Sequence, residues 1–286
     1  SSGGRTSSGG ATSSGGRTGS GGTTSNGGST GTATLDCQAT STYSNYVTGQ
    51  YGATTISLSN STTKNYYMQA NWWGSPYGNQ AEEVSGIGFK ITGTNPTSIV
   101  TSNPSLPLGY PSIFIGTYKD KRTTGSNLPK AVSALTSVPT IFRTNVNSKG
   151  ESNYNAAYDV WLTAGSGTVS GNNPGSGGAY LMVWLFKPTD KYPRGTLRGN
   201  GTIVTGVKGG WDVWYDPSTD NMPCVSYVAS NKVESIEFDL KYFIDDAIAS
   251  GYGVKSSQYL SIIFAGFEIW GGGDGLQVNH FCANVK

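Results

Sequence analysis

The chain has 286 residues, of which only 13% are charged, and its formal net charge is +2. This balance provides no basic surface for nucleic acid, and no apolar run reaches the roughly 20 residues that span a bilayer. The 17 tyrosines and 7 tryptophans far outnumber the 9 phenylalanines. Such an excess of amphipathic rings is typical of wet surfaces, and the composition as a whole favours an extracellular β protein.

The first 33 residues are almost entirely Gly, Ser and Thr in a loose six-residue rhythm. Nothing there can bury apolar surface, so the entropy lost on ordering the backbone would not be offset. We predict a flexible linker over residues 1–33 and one folded domain over residues 34–286. Because the chain opens on a linker without an initiator Met, we expect a signal peptide or another module to have been removed.

Beyond the linker, short β-branched or alternating runs recur between turns rich in Gly, Asn, Ser and Pro. They predict strands at 54–58, 66–70, 86–91, 112–118, 138–143, 156–162, 179–185, 201–207, 211–215, 224–229, 259–265 and 277–284. Many strands at this spacing indicate an all-β sandwich or jelly roll.

One segment departs from the strand pattern. Between Asp239 and Gly251, apolar residues at 240, 243, 244, 247 and 248 repeat with helical period. Asp239 is a predicted N-cap and Gly251 a predicted C-terminal stop. We therefore expect one helix of about three turns, packed on the outside of the sandwich.

Cysteine and histidine are scarce. Cys37, Cys224 and Cys282 allow at most one disulfide within the chain, and the sequence does not choose among the three pairings. The single histidine, His280, argues against Ser-His-Asp catalysis and against histidine-based metal sites. No cluster of ligand residues indicates a metal or a cofactor.

Two isolated acidic residues lie in aromatic, strand-like segments. Glu268 follows a predicted buried strand and has Phe267 and Trp270 as neighbours. Desolvation among such rings raises a carboxyl pKa toward neutrality, as a general acid requires, and the rings offer a surface on which a sugar stacks. Asp159 lies inside the apolar run 156–162. A partner carboxylate would be expected in the run 179–185, which contains none.

Taken in order, these segments resemble glycoside hydrolase family 12, the endoglucanase and xyloglucanase family of the concave β-jelly-roll clan. The matching strings are ANWWG at 70–74, YPSI at 110–113, NAAYDVWL at 155–162, LMVWL at 181–185 and GFE at 266–268. The resemblance covers about residues 65–286. It implies a secreted, monomeric, two-sheet concave β-jelly roll with one packed helix, acting on a β-glucan.

The family's activity is endo-acting hydrolysis of β-1,4-glucan (cellulose, mixed-linkage glucan or xyloglucan) with retention, by two carboxylates about 5–5.5 Å apart. By resemblance, Glu268 matches the acid/base and Asp159 matches the aspartate that hydrogen-bonds the nucleophile. The expected sugar contacts are Trp73, which matches an aromatic platform, with Asn71 in the same string, Met182 and Trp184 in the cleft floor, and Trp270.

In the family the nucleophile immediately precedes the string at 181–185, and here that position is Tyr180. One interpretation is that the chain binds glucan without hydrolysing it. Another is that Tyr180 itself attacks, in which case Asp159 or Glu268 must deprotonate a phenol of pKa about 10.

A third interpretation supplies the missing carboxylate from elsewhere. Glu82 and Glu83 are expected in a loop after the Trp73 strand, and Asp274 lies in the glycine-rich turn after Glu268. A carboxylate beyond about 6.5 Å would support an inverting reaction through water.

Three classes of function therefore remain open: a glucan hydrolase, a non-catalytic glucan-binding protein, and a passive structural module assembled through the Gly/Ser repeat. No nucleic acid or membrane partner is expected.

Overall fold

The computed structural model describes residues 35, 37, 45–74, 78–93, 106–146, 153–217 and 222–286. The linker predicted at residues 1–33 lies outside this part of the chain. None of the helices formed by the described residues has the length and apolar character needed to cross a bilayer.

Strands dominate the described part of the chain. In chain order they are β1 (Asn45–Thr48), β2 (Ala53–Leu58), β3 (Ser61–Gln69), β4 (Ala81–Ser85), β5 (Gly88–Thr92), β6 (Ser112–Tyr118), β7 (Lys121–Arg122), β8 (Lys130–Ala131), β9 (Pro139–Asn145), β10 (Ala156–Thr163), β11 (Ala179–Phe186), β12 (Thr196–Thr202), β13 (Trp211–Asp216), β14 (Cys224–Ala229), β15 (Ser235–Asp239), β16 (Tyr259–Gly266) and β17 (Gln277–Ala283). A short 3₁₀ turn spans Val132–Ala134 and the helix α1 spans Lys241–Ala249.

These strands form two sheets. The large sheet has the order β12-β13-β14-β11-β10-β16-β6-β3-β2, with β7 added to β6 and β8 added to β16. The small sheet has the order β1-β4-β5-β17-β9-β15. The predicted two-sheet β-jelly roll with one α-helix is confirmed by this architecture.

The large sheet has two chemically different faces because side chains alternate along each strand. Residues such as Val160 and Leu181 point toward the small sheet and are fully buried in the main hydrophobic core. The opposite face, called the outer face here, carries two further aromatic clusters, one around Phe264 and one around Trp184. Asp159 lies on this outer face, since it is the neighbour of Val160.

The helix α1 lies where its periodicity predicted, and Phe243, Ile244 and Ala247 are its buried residues. Its N-cap by backbone geometry is Leu240 rather than Asp239, which is a correction. The carboxylate of Asp239 still serves the first turn, because it accepts the Lys241 N–H at 2.9 Å. The same oxygen accepts the Val138 N–H at 2.7 Å, so this side chain also ties the helix start to the chain before β9.

The disulfide joins Cys37 to Cys282 across 245 residues of sequence, and Cys224 is a buried free thiol. It connects the start of the folded domain to the last strand, β17.

Two local predictions were wrong. The strand expected at 201–207 is instead β12, which ends at Thr202, and a turn follows in which the Val207 N–H bonds the Val204 carbonyl at 3.0 Å. Glu82 and Glu83 do not lie in a loop but in β4, where Glu82 pairs with Val47 on one side and Ile91 on the other. Hydrogen bonding to β1 and β5 holds this segment as a strand, although its local sequence did not predict one.

Candidate active site

A cleft of about 550 Å³ opens on the outer face of the large sheet. Six of the residues expected from the sequence line it: Asn71, Trp73, Asp159, Tyr180, Met182 and Glu268. Asp159 lies on β10, Tyr180 and Met182 lie on β11, Glu268 follows the end of β16, and Asn71 and Trp73 follow the end of β3. The fold therefore assembles in one place what the sequence distributes over nearly 200 residues.

Strand register explains how three of these side chains meet. Asp159 on β10 lies opposite Met182 on β11 and opposite Phe264 on β16. Tyr180 lies opposite Trp161, two residues along from that row, so it is the diagonal neighbour of Asp159. Diagonal neighbours on one face remain within reach of long or aromatic side chains.

Glu268 lies just beyond the end of β16. Gly266, two residues earlier, allows this end of β16 to lie close to the start of β6. A Cβ at Gly266 would collide with the carbonyl oxygen of Pro111, so a larger residue would push this end of β16 away from β6. The close approach keeps Glu268 at the rim of the cleft.

A fully buried amide holds Glu268 in place. Asn155 donates its side-chain N–H to Glu268 Oε2 at 2.6 Å, and its Oδ1 accepts the backbone N–H of Glu268 at 3.1 Å. The backbone N–H of Asn155 also donates to the Glu268 carbonyl at 3.0 Å. Three hydrogen bonds between two residues fix both the carboxyl and the backbone that carries it.

Burial raises the pKa of Glu268 from 4.5 to about 7. The Asn155 hydrogen bond opposes this shift, because it favours the charged form, and the nearby charge of Asp159 adds to it. The charge of Asp159 therefore acts on Glu268 within the same cleft. A carboxyl with such a pKa is protonated in mildly acidic solution and is able to donate that proton.

Asp159 is held on one side only. Its Oδ2 accepts the Trp161 indole N–H at 2.8 Å, whereas its buried Oδ1 has no hydrogen-bond partner. Burial raises the pKa of this carboxyl from 3.8 to about 7, and the Trp161 hydrogen bond lowers it in part. A buried acceptor without a hydrogen bond destabilises the folded protein. Asp159 Oδ1 can therefore accept a hydrogen bond from one more donor in the site.

Tyr180 is a half-buried neighbour of Asp159 and packs edge-on against Trp161, with ring centroids 5.8 Å apart. Burial, followed by the nearby charge of Asp159, raises the pKa of its phenol well above 10. The neutral phenol is therefore the stable form, and attack by a phenolate would require a much stronger base than either carboxyl provides.

The alternative carboxylates do not reach the cleft. Glu82 is fully buried between the sheets, Glu83 lies beside it on β4 of the small sheet, and Asp274 is exposed in the turn before β17. Among the described residues, Asp159 and Glu268 are the acidic side chains that line the cleft. The interpretation that relied on a displaced carboxylate thus loses its geometric basis.

The aromatic residues occupy different depths. Trp73 is 44% exposed, and its indole N–H bonds the Pro107 carbonyl at 2.7 Å, which fixes the ring at the cleft wall. Trp184 is almost fully buried and packs with Met182 below the surface, while Trp270 lies 6.4 Å from it. Trp184 thus lies under the floor, where it supports Met182.

Sequence reasoning missed several participants. It assigned no role to Asn155, although the residue opens the string at 155–162, and none to Tyr51, Tyr110 or Tyr118, which also line the cleft. Tyr110 is buried and donates its hydroxyl to the Ala157 carbonyl at 2.8 Å. Within the described residues, no three His, Cys, Asp or Glu side chains are grouped to hold a metal ion.

A β-jelly roll with two carboxyls in an aromatic-lined cleft is the arrangement of a glycoside hydrolase. The family model for glycosyl hydrolase family 12 matches residues 64–286. The chain belongs to this family.

Individual relatives agree with this assignment. The chain is 32% identical to a probable cellulase Cel12b of Mycobacterium tuberculosis over 57% of its own length and 99% of that protein. It is 32% identical to a probable xyloglucan-specific endo-β-1,4-glucanase A of Aspergillus terreus over 51% of its own length and 54% of that protein. The solved endoglucanase Cel12A of Rhodothermus marinus is 30% identical, with a TM-score of 0.70, over 85% of this chain and 99% of that one.

Proposed function

We propose that the cleft binds internal segments of β-1,4-glucan chains, as an endo-acting member of this family, and that Tyr180 suppresses the hydrolytic step. The observation that carries the proposal is that a tyrosine, Tyr180, is the diagonal neighbour of Asp159, whose buried Oδ1 has no hydrogen-bond partner. A carboxyl at position 180 could share a proton with that oxygen, as the aspartate beside the nucleophile requires. The Tyr180 hydroxyl makes no hydrogen bond to it.

Of the two steps that hydrolysis requires, proton donation and attack at carbon, the cleft supports only the first. In the retaining reaction, the acid/base donates its proton to the glycosidic oxygen while a carboxylate bonds to the anomeric carbon as the leaving sugar departs. Glu268, with a pKa of about 7, supplies the proton. Tyr180 cannot supply the bond to carbon, because its phenol stays protonated. Loss of one member of such a pair costs many orders of magnitude in rate.

The substrate class follows from the cleft and from the relatives. The cleft is lined by aromatic residues such as Trp73 and Tyr110, which suits the apolar faces of a neutral glucan. Cellulose, mixed-linkage glucan and xyloglucan are the polymers to test, since a cellulase and a xyloglucan-specific glucanase are among the relatives. We place this activity outside the cell, and the disulfide supports that location because such bonds persist in oxidising compartments.

The test compares the chain as it is with Tyr180→Glu and Tyr180→Phe. Reducing-sugar release is measured on barley β-glucan, xyloglucan and carboxymethylcellulose, and binding to the same polymers is measured by affinity electrophoresis. We expect all three proteins to bind and only Tyr180→Glu to release sugar rapidly. Rapid hydrolysis by the unchanged chain would show that Tyr180 does not suppress the reaction. Absence of binding by all three proteins would contradict the glucan-binding assignment.

A further inference from the structure

The outer face of the large sheet continues well past the cleft, and one row of residues crosses it. Trp214 on β13 lies opposite Ser226 on β14, Ser226 lies beside Met182 on β11, and Met182 lies opposite Asp159. All four side chains belong to the same face because each cross-strand step preserves the face. Three strand spacings place Trp214 roughly 14 Å from Asp159, measured along the sheet.

The apolar floor is continuous along this row. Met182 lines the cleft, and Met182, Trp214 and Trp270 all pack against the cluster that contains Trp184. Ser226, which lies between Met182 and Trp214, is small and fully buried, so larger neighbouring side chains cover it. Trp214 and the cleft residue Met182 therefore belong to one apolar cluster of this face.

An exposed aromatic residue stands at the far end of this floor. Tyr192, in the connection between β11 and β12, is 56% exposed, and its ring centroid lies 5.4 Å from that of Trp214. The Lys187 ammonium lies 4.0 Å from the centre of the Tyr192 ring, a cation–π contact. Contacts from an indole and from a cation hold the ring in a defined orientation, which reduces the entropy lost when a ligand binds.

Charges near this end are already engaged. The Lys187 ammonium also donates to the Pro188 carbonyl at 2.8 Å, and Arg194 pairs with Asp216 at 2.7 Å. Arg194 is thus neutralised by its carboxylate, and Lys187 is held against the Tyr192 ring and a carbonyl. The exposed feature of this surface is therefore an aromatic ring, which suits a ligand with apolar faces and many hydroxyl groups. A β-1,4-linked glucan is such a ligand, and its extended shape matches a straight row across the strands.

The geometry points to a second sugar-binding platform, formed by Trp214 and Tyr192 with Lys187, that holds the part of the β-glucan chain leaving the cleft on the side opposite Trp73. This inference rests on the proposed glucan binding of the cleft and extends it. The platform makes long oligosaccharides bind better than short ones, because only a long chain reaches from the cleft to Tyr192.

Isothermal titration with cellotetraose and cellohexaose tests the platform. The proteins are the unchanged chain, Tyr192→Ala, Trp214→Ala and, as a control, Tyr46→Ala, an equally exposed tyrosine (59%) on β1 of the small sheet. We expect Tyr192→Ala to weaken cellohexaose binding roughly fivefold to tenfold, the loss of one stacking contact. Cellotetraose binding should change less than twofold, and Tyr46→Ala should change neither.

Thermal unfolding is recorded for every variant, so that a loss of binding by Trp214→Ala counts only if the protein is folded. Tyr192→Phe keeps the ring and is expected to retain most of the cellohexaose affinity. If the unchanged chain and Tyr192→Ala bind cellohexaose equally, the platform is overturned while the cleft assignment stands. If the unchanged chain binds neither oligosaccharide, the proposed function fails and the platform fails with it.

Discussion

Two carboxylic acids in this molecule, Glu268 at the cleft and Glu82 between the sheets, have pKa values of about 7, and burial is the leading cause in both. Their surroundings differ. Glu268 is bonded by Asn155 and borders the cleft, where a ligand can take its proton. Glu82 accepts a hydrogen bond from Gln80 on one oxygen, and its other oxygen is buried with no partner.

The two residues show that a raised pKa alone does not identify a catalytic acid. A raised pKa indicates only that the charged form is disfavoured, and a structural carboxyl in a core meets that condition as well as an acid catalyst does. The catalytic candidate is distinguished by access to a ligand and by a positioning partner. Glu82 has a hydrogen-bond partner in Gln80 but no access to a ligand, so its proton exchange affects only the stability of the fold.

The first prediction tests the difference between the two acids in the Tyr180→Glu variant. We expect Tyr180→Glu to raise hydrolysis by roughly four to six orders of magnitude, because the two carboxyls then act as a unit. In that background, Glu268→Gln should lower kcat by about 10²-fold to 10⁴-fold, since the amide cannot donate the proton that the leaving oxygen needs.

Glu82→Gln in the same background should leave kcat unchanged, and this pair of double variants is the test. A loss of kcat in Glu82→Gln comparable to that in Glu268→Gln would contradict the distinction between the two acids. Initial rates on barley β-glucan, read as reducing ends, suffice for the measurement.

The second prediction concerns stability. The pKa of Glu82 is about 7 in the folded protein and 4.5 in its ordinary state, so the fold prefers the neutral form. The unfolding free energy should therefore fall as pH rises from about 4.5 to about 7, by about 3 kcal/mol from this residue. Glu82→Gln, which stays neutral, should lose that part of the pH dependence in urea unfolding curves.

Asp159 and Glu268 also have raised pKa values, so they too make the unfolding free energy fall as pH rises. The contribution of Glu82 is therefore measured as the difference between variants. Glu83→Gln, a neighbour on β4 that is only half-buried, is the matched control and should keep the full dependence. If Glu82→Gln and Glu83→Gln gave the same slope, Glu82 would not be held neutral by the core.

The smallest expected effect comes from Asn155. Its hydrogen bond favours ionised Glu268 and lowers the pKa of that carboxyl, so Asn155→Ala should raise it. In the Tyr180→Glu background, the alkaline limb of the kcat/KM profile should then move upward by about one pH unit. Asn155→Asp should act in the same direction through like charge. An unchanged limb in both variants would remove Asn155 as a positioning residue.

Local patterns were sufficient for part of the fold. The helix α1 was predictable because its period lies within one stretch of 13 residues, and Gly251 ends it with a φ of +71°. Most large-sheet strands were predictable because both of their faces are buried, which makes them apolar runs. β4 was not predicted because the charged residues Glu82 and Glu83 break the apolar pattern of a strand. It is a strand because it pairs with β1 on one side and β5 on the other.

Contiguous strings in the sequence were enough to predict an all-β jelly roll of family 12, an isolated Glu268 among aromatic residues, and Tyr180 at the position expected for the nucleophile. The surroundings of those residues depend on the tertiary structure. Asn155 and Glu268 are 113 residues apart, and Cys37 and Cys282 are 245 apart. Contacts over such distances depend on strand order and register, which arise from packing all the strands at once and leave no mark in any single segment.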